Sequence, residues 1–134
     1  MNTPSAIKKD LYYSNDHEWI YFQGSVAYIG VCRAKLSGIK EIQKIVFTGN
    51  SGFIKHGDIV ATIQYENDQI FFHMPIDGKI ISINEELVAG MTEILLQQPE
   101  DNGWIALIVP GKSKERTGLW PSEEYKIFQG NHTI

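Results

Sequence analysis

The chain has 134 residues, with 12 basic and 16 acidic side chains, a formal net charge of −4 and a hydrophobic share of 43%. That length suits one domain around one core, and the acidic balance excludes the basic face expected of a nucleic-acid binder. A single cysteine, Cys32, excludes an intramolecular disulfide framework and any paired-cysteine metal or redox motif, and it favours a reducing, intracellular setting.

Residues 1–11 are polar and are expected to be loose. They carry neither the apolar core of a secretory signal nor the arginine-rich character of a transit peptide. No apolar run approaches the roughly 18 residues that span a bilayer. The expected location is cytoplasmic, with no membrane or nucleic-acid partner.

From Tyr12 onward short apolar runs alternate with turn residues. Glu18 to Phe22 and Val26 to Val31 flank Gln23-Gly24-Ser25 and predict a β-hairpin. Cys32 to Lys40 predicts a short helix through Ala34, Lys35 and Leu36, stopped by Gly38. Strands follow over Lys44–Thr48, Asp58–Gln64, Gln69–Met74, Lys79–Ile83 and Trp104–Val109. Gly, Pro, Asn and Asp separate them at short intervals, a rhythm of sandwiches and barrels rather than βαβ units.

Val46 to Gln64 and Ile80 to Leu96 both read as strand, polar turn and extended segment, a weak internal echo. Beyond Pro110 the composition shifts. Residues 111–118 read as a charged linker, and Leu119 to Phe128 as a closing helix capped by Ser122, with Glu123 and Glu124 in its first turn. The expected organisation is a loose segment over 1–11, a core over 12–110, and a linker with helix over 111–134.

Four stretches in order resemble the glycine cleavage system H-protein family. They are Asp16-His17-Glu18-Trp19; Val26-Ala27-Tyr28-Ile29-Gly30-Val31; the block from Gly57-Asp58 through Pro75, Gly78-Lys79-Ile80 and Asn84-Glu85-Glu86-Leu87; and Gly103-Trp104. The resemblance spans about Tyr12 to Val109. It implies a mainly β, lipoyl-domain-like flattened barrel, a barrel-sandwich hybrid, with short flanking helices.

The same resemblance exposes a departure. The family hairpin reads roughly Glu-Ser-Val-Lys-Ala, and its lysine carries lipoate. Counting back from Pro75, the matching positions are Gln64-Tyr65-Glu66-Asn67-Asp68, so Asn67 stands at the lysine. Acylation needs a deprotonated amine as nucleophile. The amide nitrogen of Asn67 is delocalised into its carbonyl and offers none. The nearest lysines along the chain, Lys55 and Lys79, both lie beyond the turns that flank this hairpin.

Asn67 and Asp68 suit a tight turn. Its expected uses are a protein-recognition tip of Gln64, Tyr65, Glu66, Asn67, Asp68 and Phe72, or an ordinary solvated turn. Alternation buries one of Phe71 and Phe72 and exposes the other beside the tip. His17, His56, His73 and His132 show no ligand spacing, so no metal site is expected. Trp19 is expected in the core, with His17 hydrogen-bonded beside it. Cys32 reads as a small buried residue or, less simply, as a reactive thiol.

No nucleophile elbow, phosphate loop or dinucleotide fingerprint is present. The expectation is therefore a non-enzymatic module without a cofactor. Its partners would be proteins, either glycine-cleavage components or lipoate-transfer enzymes. Two alternatives remain open. One is a working carrier with its lipoyl arm on another lysine, shuttling an aminomethyl group. The other is a small enzyme using Cys32 or His73.

Overall fold

The computed structural model describes residues 11–48, 52–111 and 119–121. Ten strands are assigned: β1 (Tyr12–Tyr13), β2 (Glu18–Gln23), β3 (Val26–Val31), β4 (Lys44–Phe47), β5 (Gly52–Ile54), β6 (Ile59–Tyr65), β7 (Asp68–His73), β8 (Gly78–Ile83), β9 (Ala106–Pro110) and β10 (Trp120–Pro121). Two short helices, α1 (Glu85–Val88) and α2 (Glu93–Gln97), lie between β8 and β9. The strands form a seven-stranded sheet, β10-β1-β2-β3-β9-β8-β5, and a three-stranded sheet, β4-β6-β7.

Period-2 alternation, interrupted by a bulge between Ile59 and Ala61 that lets Val60 and Ala61 both face inward, explains how the two sheets share one core. Ile20, Ala27, Ile29, Val31, Ile80 and Ile108 face inward from the large sheet, and Val60, Ala61, Ile63 and Phe72 meet them from the small one. The opposite face of the β2–β3 hairpin is buried too. There Trp19, Tyr28, Cys32 and Trp104 form a second apolar cluster with Leu11 and Tyr13.

Trp19 is fully enclosed, and its indole N–H donates to the carbonyl of Pro99 at 2.9 Å. Gly30, its cross-strand partner, leaves room for the ring: a Cβ there would sit 2.7 Å from indole atoms. The short sequence features therefore have a packing origin. Asn84 caps α1 by accepting from the Glu86 amide at 3.1 Å, and its own amide donates to the carbonyls of Asn102 and Trp104. One side chain thus ties the Asn84-Glu85-Glu86-Leu87 stretch to Gly103-Trp104.

Several local expectations are corrected. The helix expected from Cys32 is a single 3-10 turn over Arg33–Leu36; Cys32 makes no side-chain cap, and Gly38 turns the chain away at φ +87°. The second half of the internal echo is not extended, because Met91 to Leu96 runs into α2. Leu119 does not open a helix: Trp120–Pro121 pair antiparallel with Tyr12–Tyr13. The rest of that expected helix, the linker at 112–118 and the loose segment at 1–10 lie outside the described residues. Among the described residues, no helix is long and apolar enough to cross a membrane.

Candidate functional site

β6 and β7 pair from Ile63↔Ile70 through Gln64↔Gln69 to Tyr65↔Asp68, leaving Glu66 and Asn67 as a two-residue loop. The expected turn pair was Asn67 and Asp68; the register moves it back by one residue. Glu66 adopts the left-handed conformation that such a loop requires, with φ +49°. Asp68 instead opens β7, and its carboxylate accepts from the Gln69 amide at 2.8 Å. Glu66, Asn67 and Asp68 are exposed, whereas Gln64 and Tyr65 are half-buried.

Phe72 does not belong to this tip. It is fully buried in the core between the sheets. The alternation that buries Phe72 turns Phe71 outward, at 37% exposure, in a cross-strand row with Thr62 and Val46. On β7 the exposed aromatic ring is therefore that of Phe71. Its ring lies 6.4 Å from that of His73 on the same strand face.

At the far end of β7 lies an arrangement that sequence spacing did not signal. Glu18 is 1% exposed, yet it carries a carboxylate. Its Oε2 accepts from Lys35 Nζ at 2.9 Å, from the His73 amide at 2.6 Å and from His73 Nδ1 at 3.1 Å. Ser14 Oγ lies 3.3 Å from its Oε1 and also accepts from the Glu18 amide. A carboxylate can only accept, so the proton of a neutral His73 sits on Nδ1 and Nε2 presents a lone pair. The charge of Glu18 is thus balanced within the chain by the ammonium of Lys35.

Asp16, Glu18 and His73 place ligand atoms within 4.8 Å of one another. Asp16 Oδ2 stands 4.0 Å from His73 Nδ1. A metal would compete for Glu18 Oε2 with Lys35 and the His73 amide, so the chemistry of this centre is an internal ion pair. Its position fits a staple: it joins β2 of the large sheet and the 3-10 turn to the open edge of β7. The only sequence signal was Glu18 itself, an acidic residue at an inward-facing strand position.

Cys32 is buried, as expected of a small packing residue. His17 lies in the left-handed region at φ +62°; its amide donates to the Ser14 carbonyl at 3.2 Å and its carbonyl accepts from the Cys32 amide at 2.9 Å. His56 donates its amide to Asp77 Oδ1 at 2.7 Å, and its ring is part of neither arrangement described above. His132 lies outside the described residues.

The family model "Glycine cleavage H-protein" matches residues 11–131. The chain is 27% identical over 122 residues to the glycine cleavage system H protein of Thermoanaerobacter sp. strain X514, covering 91% of this chain and 95% of that one. The corresponding protein of Carboxydothermus hydrogenoformans is 26% identical over 122 residues, at 91% and 93% coverage. A crystal structure of a glycine cleavage system H protein from Mycobacterium marinum superposes with a TM-score of 0.75 at 20% identity, covering 95% of this chain and 98% of that chain. This last likeness concerns the fold.

Proposed function

The chain belongs to the glycine cleavage H-protein family, and within that family we propose that it is a non-catalytic binding or regulatory module working through its β6–β7 hairpin. One observation carries the reading. The apex is an exposed two-residue loop of Glu66 and Asn67, and neither side chain can form the amide that holds an acyl arm. The fold keeps the hairpin while the apex lacks the nucleophile.

Its partners, on this reading, are the enzymes that meet such a hairpin: glycine-cleavage components or lipoate-transfer enzymes, in the cytoplasm. Exposed Glu66 and Asp68 would contact basic groups of the partner, with Phe71 as the apolar neighbour along β7.

Two measurements test it. The tryptic peptide of residues 56–79 should keep its unmodified mass after incubation with a lipoate ligase, ATP and lipoate. Exchanging Glu66 and Asp68 together for lysine should weaken binding to that ligase, or to a glycine-cleavage enzyme, by tenfold or more, with an unchanged circular dichroism spectrum. Wild-type and variant affinities that match across every such partner would remove the hairpin from the reading.

A further inference from the structure

We infer that the outer face of the large sheet, at its β8–β5 end, is a second interaction surface that fits a protein segment carrying a carboxylate among apolar side chains. It lies on the other sheet from the β6–β7 hairpin and stands independently of the role proposed for that hairpin.

Burial divides this outer face in two. Ile54, Ile80 and Ile108 pack on the core, so their strand neighbours turn outward. Over β3 and β9 the outward side chains are covered: Tyr28 is buried with Trp104, and Leu107 packs on the same cluster. Over β8 and β5 they are open. Phe53, Lys79 and Val109 form one cross-strand row, and Phe53 is 58% exposed, well above Phe71 on the small sheet.

Two local features widen the patch. The register of β8 against β9 shifts between Ile80 and Ser82, while Ile80 and Ile83 both pack on the core. This bulge sets Ile81 and Ser82 outward in succession and leaves Ile81 exposed. Gly111, just past β9, lies beside Phe53, where a Cβ would stand 3.1 Å from ring atom Cε1. That neighbour of the ring brings no side chain over it.

Charge in the row selects the occupant. Among the described residues no carboxylate stands within ion-pair distance of Lys79, and exposed Lys55 directly follows β5. Asp77, two residues before Lys79, has its Oδ1 taken by the His56 amide. A surface that covers Phe53, Ile81 and Val109 also takes water from Lys79, whose ammonium then needs a carboxylate. A second copy of this chain is disfavoured, because a twofold contact sets the patch on itself and Lys79 against Lys79. A lipid headgroup supplies an anion but does not extend the sheet at β5, which ends it and offers its outer edge to a polypeptide. An acidic and apolar segment of another protein meets all of these demands. The patch is small, so the contact is transient.

A random dodecapeptide display library selected on the full chain tests this, with enriched peptides synthesised and their affinities read by fluorescence anisotropy. The expected peptides combine Asp or Glu with aliphatic or aromatic residues. Phe53→Ser should weaken them about tenfold or more, with an unchanged circular dichroism spectrum. Lys79→Glu, at an exposed position, should weaken them as well and should enrich Lys or Arg in a repeated selection. No enrichment on the wild-type chain, or peptides that bind both variants as tightly as wild type, overturns the inference. So does concentration-dependent dimerisation in analytical ultracentrifugation that Phe53→Ser abolishes, which makes a second copy the occupant. Binding to phosphatidylglycerol vesicles that Phe53→Ser abolishes overturns it too, in favour of a membrane surface.

Discussion

At its first residue β7 leaves an open turn, and at its last it is clamped by a buried carboxylate. Asp68, at the hairpin end, is exposed and accepts from its neighbour's amide. His73, at the other end, gives both its amide and its ring nitrogen to Glu18, which also holds Lys35. The hairpin end can change its chemistry without unfolding the protein, since solvent satisfies its polar groups. The clamped end cannot, because each group there depends on a partner drawn from another element. An apex of Glu66 and Asn67 is thus one the fold accommodates, while the two sheets stay stapled a strand's length away.

The same contrast divides neighbours within β7, and it is open to attack there first. Phe72→Ala removes a fully buried ring from the core and should cost about 3–5 kcal/mol of unfolding free energy, read from urea denaturation midpoints. A loss under about 1 kcal/mol would mean that the two sheets do not close on Phe72. Glu18→Gln keeps the shape of the clamp but replaces charge-assisted bonds with weaker ones and leaves Lys35 uncompensated. The expected loss is about 1.5–3 kcal/mol in the same titration. An unchanged midpoint would leave the carboxylate without the stapling role. Phe71→Ser should change stability by no more than about 0.5 kcal/mol. If it destabilises as much as its buried neighbour, Phe71 belongs to the core and not to a surface for partners.

Local patterning made much of the fold legible. The β2–β3 hairpin, the alternation in β6 and β7, and the turn residues between strands each follow from period-2 burial and glycine or asparagine chemistry. The burial of Trp19 was readable from its place in an apolar run. A turn at Asn67 was readable from its residue chemistry, although the loop is Glu66 and Asn67 rather than Asn67 and Asp68. Where local signals were weak they misled. The Cys32 to Lys40 segment has helix-favouring residues but only enough length for a 3-10 turn, and α2 hid in a stretch with an extended look.

By itself the sequence determined the β architecture and the position of the hairpin, because these depend on neighbours along the chain. Tertiary structure alone decided that Glu18 would meet His73, 55 residues away, and Lys35 from a third element. It also decided that Phe53 would stand in one row with Lys79 and Val109. Cross-strand register sets both encounters, and register follows from how two apolar faces close on each other, which no local window of residues contains.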